Sequence, residues 1–188
     1  MLFLTEFMKV VKQMSFFNIF SKRRLSKKRQ EHLENANAFI QVHYVREKNF
    51  YNILKLKENP EQLECDEWYN THDNPTTFSD AFNAYLKDKS IDINKLSNSY
   101  HLDSQILSRL NSEQHFTVSK GDAVAICLAL KLNLAHSRKL LELSGYSLTN
   151  SSKSDLTIRY CIENSYNSYN DVTYLLNEIC NIRLKDIS

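Results

Sequence analysis

The sequence predicts an all-α protein, and three observations support this fold class. Glycine and proline are scarce, with two of each in 188 residues, which disfavours a fold with many tight β turns. Apolar residues recur at helical spacing through most of residues 31–57 and 77–188, the pattern of amphipathic helices. Several of these runs begin just after a side chain that can cap a helix, such as Asp103 or Ser119.

Residues 1–30 are an apolar and basic N-terminal segment. The first 20 are rich in Phe, Leu, Met and Val, but Glu6 and Lys9 interrupt them, so we expect neither a secretory signal nor a membrane span. Met14 is an alternative translation start. Six basic residues then follow with no acidic residue among them: Lys22, Arg23, Arg24, Lys27, Lys28 and Arg29.

Three interpretations of this basic segment stay open. It is a solvated tail, an arm that binds nucleic-acid phosphate without sequence preference, or a peripheral anchor on a membrane surface. In the third case, the apolar side chains of residues 16–20 enter the lipid beside the basic patch.

Residues 31–57 are predicted to form a mainly helical extension. Leu33, Ala36, Ile40 and Tyr44 follow helical spacing. We expect the apolar face of this helix to pack either on the C-terminal domain or on a second copy of the chain.

Residues 58–76 are interpreted as an acidic linker. Both prolines of the chain, Pro60 and Pro75, lie in it, and no lysine or arginine occurs between Lys57 and Lys87. One hypothesis is that this acidic segment folds back on the basic residues and masks them. Because such pairs would be exposed, salt would weaken the masking.

Residues 77–188 are predicted to fold as one domain of seven helices. The first helix buries Phe78, Phe82 and Tyr85, with Thr77 or Ser79 as its cap. The next helices are expected near 92–99, 103–112, 120–131 and 134–144, then around Leu156–Cys161, and finally over 170–182. Asn133 is the expected cap of the helix over 134–144, and Gly145 its left-handed end.

The stretch from 92 to 132 resembles the helix-turn-helix of phage-repressor-like (lambda, or Xre-type) domains. The resemblance extends over about 78–182 and includes the segment LLELSGYSL, which is similar to a C-terminal module of bacterial proteins of poorly defined role. The positions that carry it in the helix-turn-helix are Leu96, Ser97, Leu102, Ile106 and the pair Ala129–Leu130.

The resemblance implies a DNA-binding regulator or accessory protein of the cytoplasm. The residues after the turn would face the major groove of double-stranded DNA, namely Ser104, Gln105, Ser108 and Arg109. Ser119 and Lys120 would hold a phosphate at the start of the next helix. Domains of this type usually bind paired half-sites, so a homodimer is a further expectation.

Other features favour a non-enzymatic adaptor that binds a protein through the same fold. His101 stands where the family usually has glycine, Ile93 replaces a common glutamine, and Asp103 adds negative charge where DNA would approach. Residues 77–188 carry twelve lysines and arginines and twelve acidic residues. DNA affinity depends on cationic contacts to phosphate, which a neutral domain provides poorly.

Several other functions are disfavoured by residue spacing. Gly121 and Gly145 are too far apart for a glycine-rich phosphate loop. The four cysteines form no CxxC pair, and no two histidines are three or four residues apart, so we expect no metal, no cofactor and no enzymatic activity. Reduced cysteines in a cytoplasmic protein are expected.

Overall fold

The computed structural model describes residues 26–44 and 60–187, and all regular structure within these ranges is helical. This confirms the all-α prediction. The helices are α1 (26–43), α2 (Pro60–Thr71), α3 (Phe78–Asp88), α4 (Ile93–Tyr100), α5 (Ser104–Ser112), α6 (Lys120–Ala129), α7 (Leu134–Leu143), α8 (Lys153–Glu163) and α9 (Tyr169–Cys180). A 3-10 turn, Leu184–Asp186, follows α9.

Local capping explains where most of these helices begin. Asp103, Ser119 and Asn133 each accept a hydrogen bond from a backbone N–H in the first turn that follows, as expected. Of the two candidate caps for α3, Thr77 makes this bond. Gly145 has a φ of 77° just beyond α7, a backbone conformation that glycine adopts without steric cost.

Helix α6 lies at the centre of the domain. Its nine buried residues leave only Asp122 partly exposed, because α4, α7 and the C-terminal 3-10 turn all pack on it. The helix is therefore buried all round rather than along one apolar stripe. Gly121 permits the closest of these approaches: a Cβ there would lie 2.6 Å from the Leu184 carbonyl oxygen.

Helix α2 replaces most of the linker expected over 58–76. Cys65 and Tyr69 are buried and belong to the hydrophobic core, and the helix packs on α7. The indole ring of Trp68 stacks on Tyr85 of α3 with ring centroids 3.9 Å apart. The linker interpretation was therefore wrong for residues 60–71, whose acidic side chains form the outer face of a docked helix.

Helix α1 packs on the C-terminal part of the same chain, which is one of the two expected alternatives. Ala36 is fully buried in the core, and the His32 ring stacks on Tyr166 at a centroid distance of 3.9 Å. Arg29 Nε donates to Asp171 Oδ1 of α9 at 2.7 Å. The basic segment is thus helical from residue 26 in the structure, while residues 45–59 lie outside the described ranges.

The last two long helices, α8 and α9, pack on each other. Val172, Leu175 and Leu176 are fully buried, so the apolar side of α9 belongs to the core. Among the described residues, no helix combines the length and the apolar character that a membrane span requires.

Candidate nucleic-acid interface

Helices α4 and α5 are joined by the three residues His101–Asp103, and the apolar sides of both helices face the core. Leu96 of α4 and Leu107 and Leu110 of α5 are buried, as is Leu102 in the turn. These contacts fix α5 on the surface with one apolar side inward. The polar side of α5 is consequently presented to solvent.

The turn itself is tight and well braced. His101 has a φ of 51°, a left-handed conformation that is unfavourable for residues other than glycine. Ser97 Oγ donates to the Leu102 carbonyl at 2.9 Å, which links α4 to the turn. The His101 ring also contacts the Tyr169 ring edge to face, with centroids 4.8 Å apart.

Tyr100 at the end of α4 makes a second stabilising contact that the sequence pattern did not predict. Its hydroxyl lies within hydrogen-bond reach of the carbonyl oxygens of Leu128 on α6 and Asn167 before α9, and its single proton is donated to one of them at a time. These partners are 28 and 67 residues away in the chain, so only the tertiary structure brings them together. The two helices are thereby held in a fixed orientation relative to the core.

The four side chains expected to face DNA are all exposed on one side of α5: Ser104, Gln105, Ser108 and Arg109. Helix α1 packs beside α8 and α9, through Tyr160, Tyr166 and Asp171, and α2 packs on α3 and α7. Neither helix covers the polar side of α5. We name these four side chains the α5 face.

Arg109 is already paired within the protein. Its Nε and Nη2 atoms donate to the two carboxylate oxygens of Glu113 at 2.8 and 2.9 Å, and its guanidinium lies 4.1 Å from the centre of the Phe116 ring. The hydrogen bonds from Arg109 lower the pKa of the Glu113 carboxyl. Because the pair is exposed, solvent and salt weaken it, so a ligand acceptor could replace Glu113.

Ser119 and Lys120 make contacts within the protein rather than forming an open phosphate site. Ser119 accepts from the Asp122 amide and donates to the Asp122 carboxylate at 2.6 Å, which places negative charge at the start of α6. Lys120 Nζ lies 2.9 Å from Asp155 Oδ1, and both side chains are almost wholly buried. We therefore omit both residues from the proposed interface.

The expected basic patch divides into three parts. Lys27 and Lys28 are exposed at the start of α1. Arg29 is paired with Asp171 and is only partly exposed. Lys22, Arg23 and Arg24 lie outside the described residues, as does most of the segment for which membrane contact was expected, so this expectation stays a prediction.

No cluster of three or more potential metal ligands occurs among the described residues. Cys65, Cys127 and Cys161 are buried free thiols, and burial raises the pKa of the Cys127 thiol to about 12. These thiols are therefore protonated at neutral pH and serve as small apolar side chains.

Comparisons with protein-family models, with curated proteins and with solved structures found no match to this chain. The fold established here is a helical domain, and its candidate interface is defined by the α4–turn–α5 geometry alone.

Proposed function

We propose that this chain is a DNA-binding regulator or accessory protein that contacts the major groove of duplex DNA through α5. The observation that carries the proposal is the exposed α5 face, uncovered by α1 and α2 and set on two short helices joined by a braced turn. A helix presented in this way fits the major groove.

Gln105 and Arg109 are the base-contacting residues of this proposal. A glutamine side chain can bond an adenine edge with two hydrogen bonds, and an arginine can do the same with guanine. Both side chains are exposed on consecutive turns of α5, so they would contact neighbouring base pairs. Contact by Arg109 requires that its guanidinium exchange the Glu113 carboxylate for the base.

The test is selection of duplexes from a random-sequence library by the full chain, followed by fluorescence anisotropy on the enriched sequence. We expect Gln105→Ala and Arg109→Ala each to weaken binding by about 5- to 150-fold, the equivalent of about 1–3 kcal/mol per lost bidentate contact. Gln62→Ala and Arg183→Ala remove the same side chains from exposed positions on α2 and after α9, and should leave affinity unchanged.

A further variant tests the effect of the Arg109–Glu113 ion pair on DNA binding. Glu113→Gln removes the carboxylate that holds Arg109 and one negative charge near the DNA, so we expect tighter binding to the selected sequence. If the library yields no enriched sequence, or if the Ala variants on α5 behave like their matched controls, the proposal is wrong.

A second candidate is a protein adaptor that uses the same face. The Arg109–Glu113 pair and the balanced charge of residues 77–188 favour it, because neither supplies the free cations that phosphate contacts need. A photo-crosslinking residue at Ser108, with one at Gln62 as control, would separate the two candidates in cells. An adduct removed by nuclease supports the DNA proposal, and one removed only by protease supports the adaptor.

A further inference from the structure

A cleft of about 1260 Å³ is lined by the end of α1, the α6–α7 turn and the C-terminal half of α8, and no residue of α5 is among the described residues that line it. Among the residues that the structure describes, three basic side chains line it: Lys131, Arg138 and Arg159. The described acidic residues that line it are Glu61 and Glu163, and His43 lines it as well. No step of the proposed DNA contact uses this cleft.

Arg138 is the unusual group in this cleft. It is partly buried on α7, and it makes no hydrogen bond or ion pair with the residues that the structure describes. Burial lowers the pKa of its guanidinium, and the positive charge of nearby Arg159 lowers it further. The charged form of Arg138 is therefore destabilised by the fold, whereas a purely structural arginine would have an acidic partner.

The acidic residues near Arg138 compensate its charge only in part: Glu163, Glu142 of α7 and Glu61 raise the pKa of the guanidinium, but burial, the largest effect, keeps it below its ordinary value. Glu163 is held by Arg159, with Nε and Oε1 2.7 Å apart, and Glu61 has a partner of its own. Arg159 is further fixed by a contact from Nη1 to Asn150 Oδ1 at 3.3 Å. Its position beside Arg138 is thus set by the protein, and Arg138 remains the guanidinium of this cleft without an ion pair to a described residue.

Two further side chains indicate what else a ligand would contact. Lys131 is exposed in the α6–α7 turn and adds a third cation. Asn167 lines the cleft, and its Oδ1 atom is buried without a hydrogen-bond partner. A ligand with an anionic group would satisfy the cations, and the Asn167 side chain would have to turn into the cleft to offer its buried acceptor to a ligand donor.

We propose that this cleft binds a small phosphorylated molecule, with its phosphate on Arg138 and its remaining part toward Asn167. Guanidinium groups match the oxygens of phosphate in geometry as well as in charge. A destabilising charge inside a cleft is typical of a binding site, where the ligand supplies the missing counter-charge.

The experiment uses the full chain and two probes, inorganic phosphate and AMP, with chloride as the control salt at equal ionic strength. At a probe concentration about ten times Kd, we expect the melting temperature to rise by about 3–6 °C. Arg138→Gln should abolish this rise and, without the probe, melt at least as high as the wild type. Arg183→Gln, which removes an exposed arginine elsewhere, should keep the rise.

A second measurement does not depend on melting. Line broadening of the ³¹P NMR signal of AMP should appear with the wild type and with Arg183→Gln, and should be absent with Arg138→Gln. Arg138→Lys, which keeps the charge without the planar donors, should broaden the signal at higher protein concentration only.

Several results would overturn the proposal. One is a rise of the melting temperature with phosphate that persists in Arg138→Gln. The others are no effect of either probe on the wild type, and an equal rise of the wild-type melting temperature when citrate replaces the probe. A large loss of melting temperature in Arg138→Gln without any probe would assign the arginine a structural role instead. None of these results depends on DNA binding, which Arg138→Gln should leave unchanged.

Discussion

His136 on α7 is a buried histidine whose protonation the fold opposes. Its Nδ1 atom lies 2.7 Å from the Tyr85 hydroxyl, and the Trp68 ring covers it edge to face at 5.6 Å. Burial has the largest effect and lowers the pKa of His136; Glu64 opposes it, Lys89 lowers the pKa further, and Asp88 raises it least. In the folded state the neutral imidazole is therefore favoured at pH values where the unfolded chain begins to take up a proton.

This difference predicts a pH-dependent stability. Because the folded pKa is below the unfolded value of about 6.5, the unfolded state binds more protons once the pH falls below that value, and the free energy of unfolding decreases. The decrease attributable to His136 is at most about 1.4 kcal/mol per pH unit. Urea unfolding at pH 7.5 and 5.5 measures this decrease. The difference in the free energy of unfolding between the two pH values should be smaller in His136→Gln than in the wild type.

His115→Gln is the control for this comparison, because His115 is exposed in the loop before α6. It should retain the pH effect of the wild type. Equal pH effects in the His136→Gln and His115→Gln variants would contradict the assignment to His136.

At the scale of single residues, the sequence predicted what depends on near neighbours. Asp103, Ser119 and Asn133 cap their helices because the bonded amide lies two or three residues ahead. The ion pair of Lys120 with Asp155 joins residues 35 positions apart, and no local pattern indicates it. The expected phosphate contact of Lys120 was therefore plausible from the sequence and is incompatible with the buried ion pair.

At the scale of helices, α2 shows where the periodicity argument fails. Of its twelve residues, only Cys65, Trp68 and Tyr69 face the rest of the protein. Three residues are too few to give a recognisable amphipathic pattern. The acidic residues around them therefore suggested a solvated linker. Two local signals were present: Pro60 at the first helical position and Glu61 in the first turn both favour a helix start. The α4–α5 pair was predictable because each helix carries its own leucine spacing and cap.

The packing of α2 can be tested through Trp68, the one tryptophan of the chain. Its ring is stacked between His72 and Tyr85, and Nε1 donates to Asp88 Oδ2 at 3.2 Å. Trp68→Ala should lower the free energy of unfolding by about 2–3 kcal/mol, less than a fully buried tryptophan would. Urea unfolding followed by circular dichroism measures this loss.

Leu63→Ala is the matched control on the same helix, since Leu63 is 56% exposed. Its effect should stay within about 0.5 kcal/mol. A Trp68→Ala variant as stable as Leu63→Ala would mean that α2 contributes little to the fold.

At the scale of the whole molecule, charge is distributed unevenly along the chain. The net charge is +2, but basic residues are in excess before residue 30, acidic residues are in excess on α2, and residues 77–188 are balanced. If the chain binds DNA as proposed, the exposed start of α1 is the described region best suited to phosphate contacts without sequence preference.

The double variant Lys27→Gln/Lys28→Gln tests whether the start of α1 contacts DNA phosphates. Each lost phosphate contact reduces the slope of log affinity against log salt by about 0.9, so the slope should fall by about 2 while the preferred DNA sequence stays the same. Anisotropy titrations from 50 to 300 mM salt measure it. Lys87→Gln/Lys89→Gln removes equal charge from the exposed end of α3, and a slope equally reduced there would contradict a specific role for α1.

The docking of α2 also determines where the chain can be cut. A fragment that begins at Thr77, the boundary that charge and proline content suggest, lacks Cys65 and Tyr69 from the core and exposes the Tyr85 ring that Trp68 covers. Such a fragment would expose to solvent an aromatic surface that is covered in the full chain, and it would tend to self-associate. Any unit that keeps the Tyr85 ring covered therefore starts at or before Pro60, inside the stretch that trimming by composition would discard.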